Sequence, residues 1–348
     1  MKRPTNTARA LSLILALSVV LPLAACAGNQ VPPPVAETVA FTTPPESSFP
    51  EGVAWHPGKQ AFLVSALRGG SVGLVDLSGK YRVFADDARL ITTSGVVFDA
   101  PRQRILVANE DVGISPRGST QSLKRTAQVF ELDGNSGEVR RVYDFSHLSQ
   151  GATLSNDLTV DDQGNIYVTD SFQPQIYKVA QGSGEVSVLV RDARLKPESR
   201  DPATGLLPNL NGIVYHPQGF LLAGDYVRGK IWRIPLDNPA ALAEVALPQR
   251  LKGPDGLLLQ NAQTLVAVET AKASDGSGMQ SFVSQLRSRD NWHSAELVSQ
   301  RELPGTQGAT TATLRNGQIW VVNSRFPQLF GNPQADTVTG FELLRLAE

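Results

Sequence analysis

Six stretches of this 348-residue chain share one pattern, in which an apolar run, a tight turn and a second apolar run follow each other. The repeats begin at Gly52, Gly95, Asp157, Gly212, Gly256 and Thr311. Each is typical of two β-strands joined by a hairpin, with turn residues such as Asp162-Gln163-Gly164 between them. Further strand pairs follow most repeats, and four strands repeated six times indicate a propeller. The sequence therefore predicts an all-β fold, a six-bladed β-propeller, over residues 49–348.

Charge and cysteine content exclude several classes of protein. The chain has 32 basic and 33 acidic residues, with the basic ones scattered. A net charge of −1 without a basic stripe argues against a nucleic-acid partner. A single cysteine excludes a disulfide framework within the chain. Because six closed blades leave no exposed sheet edge, we expect a monomer.

The first 25 residues have the layout of a secretion signal. A basic start precedes an apolar run over 10–23, which is too short to span a membrane comfortably. The tetrapeptide Leu-Ala-Ala-Cys at 23–26 resembles the bacterial lipobox, where cleavage precedes a cysteine that is then lipidated. We therefore expect a lipoprotein signal peptide at 1–25, and a lipidated Cys26 with a Pro-rich tether at 26–48. Within the tether, the segment around Val39 to Thr42 alternates enough to be a strand, which by analogy with other propellers would close the ring with the C-terminal strand. An ordinary signal peptide with a chance cysteine is the alternative.

The resemblance to lipoproteins also implies a location. It places the protein in the cell envelope, touching the membrane only through its lipid. In a Gram-negative source the residues after Cys26 favour the outer membrane, facing the periplasm.

One polar residue stands directly before each repeat, and we call these six the ring residues. In order they are Glu51, Ser94, Asn156, Asn211, Asp255 and Thr310. The first strand of each propeller blade lines the central channel, so equivalent positions converge on its axis.

Four ring residues carry carboxylate or amide oxygens, namely Glu51, Asn156, Asn211 and Asp255. These hard donors suit Ca²⁺, Mg²⁺ or Mn²⁺, and crowded carboxylates without a cation would repel one another. The pattern predicts one divalent cation in the channel. Polar residues that simply form turns at strand entrances are the alternative.

The second strands return to the same end of the channel and also finish on polar residues. These are Asn109, Asp170, Asp225, Glu269 and Asn323, with Ala66 as the apolar exception. They are candidates to orient the metal ligands, or else they face water. The longest insertions lie at this end too, and loops over a rigid scaffold usually carry function.

Four motifs around these residues resemble the senescence-marker-protein/gluconolactonase/LRE-like family and its relatives, the diisopropylfluorophosphatases and paraoxonases. They are FPEGVAW, SNDLTVDDQGNIYVTD, LPNLNGIVYHPQG and GPDGLLL. The resemblance runs from about residue 48 to the C-terminus. It implies that Glu51, Asn156, Asn211 and Asp255 hold a catalytic cation, with calcium preferred and magnesium, manganese or zinc as alternatives.

The match to that family is incomplete around the site. The family's Glu-Gly-Pro signature reads Glu51-Gly52-Val53 in this chain. Neither the arginine with which lactonases hold a sugar acid nor the paraoxonase histidine pair has an assigned equivalent. The identity of the substrate therefore stays open.

The resemblance implies a metal-dependent hydrolase of lactones or related esters, in which a carboxylate assists the attack of water. Asp255 is the expected catalytic carboxylate, as general base or as nucleophile, and Asp157 is expected to support it. The partner would be a small-molecule lactone or ester. A non-catalytic propeller that binds metal or ligand as an envelope scaffold is the alternative, because a fold does not fix a function.

Overall fold

A computed structural model of the chain describes residues 1, 34–196, 208–273, 276, 278–306, 308–330 and 332–347. Within this part of the chain, 24 β-strands form six four-stranded antiparallel sheets, and the only helices are single 3₁₀ turns. The predicted all-β six-bladed propeller is confirmed. None of these turns is long or apolar enough to cross a bilayer.

Each sheet is one blade, whose strands run in order from the axis outwards. Blade 1 contains β2 (Val53–His56), β3 (Ala61–Ser65), β4 (Val72–Asp76) and β5 (Tyr81–Ala85). Blade 2 contains β6 (Thr92–Asp99), β7 (Arg104–Glu110), β8 (Ala127–Asp133) and β9 (Val139–Asp144). Blade 3 contains β10 (Ser155–Val160), β11 (Ile166–Asp170), β12 (Gln175–Val179) and β13 (Val186–Arg191).

The other three blades follow the same plan. Blade 4 contains β14 (Leu210–His216), β15 (Phe220–Asp225), β16 (Lys230–Pro235) and β17 (Ala243–Glu244). Blade 5 contains β18 (Pro254–Asn261), β19 (Thr264–Lys272), β20 (Met279–Arg287) and β21 (Glu296–Glu302). Blade 6 contains β22 (Ala309–Arg315), β23 (Gln318–Asn323), β24 (Gly340–Leu346) and β1 (Val35–Thr42).

Short 3₁₀ turns connect some of these strands. The described ones are Pro45–Ser47, Pro57–Lys59, Ala100–Arg102, Ser146–Leu148, Ala193–Leu195, Pro239–Ala241, Phe326–Gln328 and Ala335–Thr337.

The hydrophobic core lies in the seams between blades. Six clusters of buried side chains fill the six seams, each built from two neighbouring blades, and the last joins blade 6 to blade 1. Second strands such as β7 and β11 are buried along their whole length. This burial explains why their sequences are almost continuously apolar, because a strand packed on both faces has no side that faces solvent.

The ring is closed by the N-terminal strand, as the sequence predicts. β1 pairs with β24, and Val39 and Phe41 enter the core of the seam. β1 lies within the 26–48 stretch assigned to the tether, where the alternation around Val39 to Thr42 indicates a strand. Val39 and Phe41 are buried while Ala40 and Thr42 are exposed, which is the alternation of a strand with one face on the core. Burial of these two side chains favours the strand despite the prolines around it. Cys26 and the signal-peptide assignment lie outside the described residues.

Candidate metal centre

The six ring residues occupy one level of the propeller. The residue before each ring position pairs with the end of the second strand, as in Thr93 with Asn109, Ser155 with Asp170, Leu210 with Asp225, Pro254 with Glu269 and Ala309 with Asn323. In all five of these blades the strand register then shifts across the ring residue and the residue that follows it. Such irregularities re-aim side chains, which here leaves the ring residues free to face the axis.

Glycine after the ring residue allows neighbouring inner strands to touch. A Cβ atom on Gly212 would lie 2.5 Å from the backbone oxygen of Asp255, and one on Gly52 would lie 2.4 Å from that of Ser94. Blade 3 has Asp157 at this position, and its Oδ1 would lie 2.5 Å from a Cβ on Gly95. The glycines that open most repeats therefore serve close packing around the axis.

Charge interactions place two predicted ligands from different blades, Glu51 and Asp255, within electrostatic range of each other. Burial and the neighbouring carboxylates of Asp255, Asp157 and Glu110 raise the pKa of Glu51 well above its usual range. Burial and the charge of Asp157 raise the pKa of Asp255 to about 8, while a hydrogen bond from the Asn211 side chain partly offsets this. Blades 1, 3, 4 and 5 thus bring oxygen-bearing side chains into one electrostatic cluster.

Asn156 supplies the clearest sign that a partner belongs in this cluster. Its side chain is 9 % exposed, and its Oδ1 atom is buried without a hydrogen-bond partner. A buried amide oxygen without a hydrogen-bond partner suits a hard cation, which takes carbonyl and carboxylate oxygens together.

The composition of the ring also fits such a cation. Glu51, Asn211 and Asp255 are 7 %, 6 % and 8 % exposed. No three histidine, cysteine, aspartate or glutamate side chains within the described residues form a ready-made metal cluster. The predicted set of two carboxylates and two amides does not require one.

The two hydroxyl-bearing ring residues support the backbone of predicted ligands instead. Ser94 Oγ donates to the backbone oxygen of Asn156 at 2.7 Å. Thr310 Oγ1 donates to the backbone oxygen of Glu51 at 2.6 Å. Each hydroxyl thereby holds a ligand residue of the next blade in place.

The second-strand residues face their own blades rather than the axis. Asp170 accepts hydrogen bonds from the Leu154 backbone at 3.1 Å and from the side chains of Thr153 and Tyr177 at 2.6 Å each. Asn109 and Glu269 accept hydrogen bonds from the backbone of residues 91 and 252, which lie three residues before the ring position of the same blade. These residues anchor the approach to the first strand, so their effect on the ligands is indirect.

Asp157 directly follows the ring residue Asn156 and lines the axial channel. Its carboxylate accepts hydrogen bonds from the backbone of Leu158 at 2.8 Å and Ile213 at 3.1 Å. It borders an axial cavity of about 240 Å³ that all six inner strands line. Burial raises the pKa of Asp157 to about 7. Its predicted supporting role stays a prediction, with its oxygens already bonded to backbone.

Sequence reasoning missed one acidic residue of the site, Glu110. It is 3 % exposed, its Oε2 accepts a hydrogen bond from Ser94 Oγ at 2.9 Å, and its charge acts on Glu51. Burial raises the pKa of Glu110 well above its usual range. A signal was available, because β7 is the only second strand whose polar end is followed by two acids, Glu110 and Asp111.

Six blades around an axial ring of buried oxygen donors define a β-propeller with a polar centre. The family signature of the SMP-30/gluconolactonase/LRE-like region matches residues 49–274. The chain belongs to this family, as its motifs predict.

Comparison with solved structures shows the same fold. Regucalcin from Agrobacterium tumefaciens, a calcium-binding protein, is similar with a TM-score of 0.60 and 17 % identity, over 90 % of this chain and 95 % of that one. A protein assigned as a gluconolactonase has a TM-score of 0.56 and 15 % identity over the same shares. A streptogramin B lyase has a TM-score of 0.54 and 13 % identity, over 89 % of this chain and 98 % of that one. No curated protein matches the chain in sequence.

Proposed function

We propose that this protein is a divalent-metal-dependent hydrolase of lactones or related esters, with calcium as the preferred ion. The observation that carries the proposal is the buried cluster of oxygen donors from four blades, with the Asn156 Oδ1 atom left without a partner. A scaffold has no need of converging, mutually repelling carboxylates in its channel. Family membership, and similar structures described as a gluconolactonase and a calcium-binding protein, support the same direction.

In this proposal Glu51, Asn156, Asn211 and Asp255 hold the cation. A bound divalent ion would polarise the substrate carbonyl and favour the oxyanion that forms when water attacks. Ser94 and Thr310 keep the ligand backbones fixed, and the Asn211 amide orients the Asp255 carboxylate. Asp255 acts either as the general base or as the nucleophile.

The first test is Asp255→Asn. We expect loss of lactone hydrolysis by at least about 100-fold, in the range that a catalytic carboxylate contributes. The fold should persist, because asparagine has nearly the shape of the protonated aspartate that burial favours in the metal-free protein. Asp225→Asn is the matched control, since Asp225 is fully buried in blade 4 and binds Arg228 and Trp232 away from the channel. Wild-type turnover by Asp255→Asn would exclude the assignment.

A substrate panel separates the enzyme from a non-catalytic binding protein. Metal analysis of the purified protein is combined with assays on lactones, aryl esters and phosphotriesters. Bound divalent metal with turnover above the free-metal background supports the hydrolase. Bound metal without turnover on any class supports a metal-dependent binding protein of the envelope.

We also propose that Cys26 carries a lipid that anchors the propeller to the cell envelope, because it is the sole cysteine and ends a lipobox-like motif. Labelling with a radioactive fatty acid tests this directly. Cys26→Ser should abolish the label and release the protein from the membrane fraction. A Cys26→Ser protein that keeps its label contradicts the proposal.

A further inference from the structure

We propose that Glu110 is the general base of this hydrolase, the group that takes a proton from the attacking water. The inference rests on the proposed function and narrows it, since Glu110 takes the general-base role and Asp255 is left as a ligand of the cation. Glu110 ends β7, the second strand of blade 2, and belongs to none of the ring positions. It is 3 % exposed and acts electrostatically on the predicted ligand Glu51.

Ser94 ties Glu110 to the site. The Ser94 side chain lies 2.9 Å from Glu110 Oε2 and 2.7 Å from the backbone oxygen of Asn156. Blade 2 has a hydroxyl at its ring position, where blades 1, 3, 4 and 5 have predicted donors for a cation, and this hydroxyl contacts the Glu110 carboxylate. Among the described residues, Ser94 is the only hydrogen-bond donor to the Glu110 side chain. One carboxylate oxygen is therefore left to accept a proton.

The strand register puts Glu110 on the loop side of the ring. Glu110 pairs with Thr92, two residues ahead of Ser94 and therefore farther from the hairpin end. Asp157 follows its ring residue and borders the cavity on the opposite side.

Because Glu110 lies outside the ring, its carboxylate also remains a stronger base than the ring carboxylates. A carboxylate that coordinates a divalent ion is held in its charged form and is a weaker base for it. Glu51 and Asp255 are in that position in the proposed site, whereas Glu110 keeps a free oxygen. Asp111, the next residue along, cannot substitute, because its oxygens accept from Gly113 N at 2.8 Å and Ser122 Oγ at 2.6 Å.

The proposed step balances without a further reactant. One O–H bond of water breaks, its proton moves to Glu110, and the water oxygen bonds to the lactone carbonyl carbon. The carbonyl π electrons move to the oxygen. When they return, the ring C–O bond breaks and the departing alkoxide takes the proton from Glu110. The product is the open hydroxy acid, and the Glu110 carboxylate is restored.

The test compares Glu110→Gln, Glu110→Asp and Asp111→Asn in the calcium-loaded protein. A δ-lactone that releases a phenol on opening serves as substrate, and calcium affinity is measured separately by equilibrium dialysis. We expect Glu110→Gln to lower kcat by about 100-fold or more while KM and calcium affinity stay close to wild type. Glu110→Asp should retain more of kcat because it keeps a carboxylate. Asp111→Asn should keep most of kcat.

Three results overturn the assignment. An unchanged kcat in Glu110→Gln shows that Glu110 is not the general base. A loss of calcium affinity that excess calcium repairs makes Glu110 a ligand. An equal loss in Asp111→Asn assigns the effect to local structure. A calcium-loaded wild-type protein that opens no lactone or ester overturns the proposed function itself, and the base with it.

Discussion

At the scale of single residues, the site concentrates acids that burial keeps from ionising easily. Asp255 and Asp157 have pKa values of about 8 and about 7, against an ordinary value of 3.8, and burial is the main cause in both. Their protonated forms are therefore favoured in the folded, metal-free protein. A cation would reverse this preference by stabilising the charged forms.

This predicts a pH dependence for the metal-free protein. Because the folded pKa values are raised, the stability these groups contribute is fully present below about pH 4 and is lost as pH rises to about 8. Calcium should restore it, so the Tm increase on adding calcium should grow across this window. Thermal unfolding with excess calcium and with a chelator, at several pH values, measures the effect. Asp255→Asn should flatten the trend, and a calcium effect that shrinks with pH would contradict it.

At the scale of strands, the residue that ends a second strand can fix the segment that precedes a predicted ligand. Asp170 accepts hydrogen bonds from Leu154 N, two residues before Asn156, and from Phe172 N at 2.9 Å. Asp225 occupies the equivalent register position in blade 4, but its carboxylate accepts hydrogen bonds from the side chains of Arg228 and Trp232. The two residues share burial and position and differ in what they hold.

This contrast predicts different outcomes for Asp170→Asn and Asp225→Asn. The first should weaken calcium binding by roughly 10-fold, since residues that orient metal ligands typically contribute that much. The second should lower the Tm with little change in calcium affinity. Equilibrium dialysis and thermal unfolding of both variants provide the comparison. Equal calcium affinity in the two variants would show that Asp170 supports the blade alone.

The sequence predicts the ring positions because the repeats put Glu51, Asn156, Asn211 and Asp255 in register, and the role of these residues as ligands stays a prediction. It predicts the second strands less well. Their apolar sequences are buried on both faces, so alternation cannot show which side of the blade a terminal residue faces. Sequence reasoning misses Glu110 for that reason, because it lies one residue beyond Asn109, the residue that the repeat register selects.

The N-terminal boundary is difficult to predict for another reason. Proline-rich composition predicts a tether, whereas the alternation around Val39 to Thr42 indicates a strand. No local pattern encodes the partner of that strand, because β24 lies at the far end of the propeller sequence.

At the scale of the whole molecule, closure of the ring couples the chain ends to the site. Every seam is filled by two blades, so blade 1, which follows the Glu51 ligand, packs on blade 6 as well as on blade 2. The contact from Thr310 Oγ1 to the Glu51 backbone crosses the closing seam directly. Loss of closure should therefore affect stability first and the ligand Glu51 second.

Truncation tests this coupling. Removal of residues 1–42 takes away β1, exposes the edge of β24 and loses the burial of Val39 and Phe41, which are 5 % and 3 % exposed. Burying a valine or phenylalanine side chain contributes about 1.5–3 kcal/mol, so the free energy of unfolding should fall by roughly 3–6 kcal/mol. The exposed edge should also promote aggregation. Removal of residues 1–33 is the matched control, because it keeps β1, and should leave chemical denaturation near wild type. If the two truncations unfold alike, β1 does not close the ring, and the stability of the Glu51 site must come from the remaining five seams.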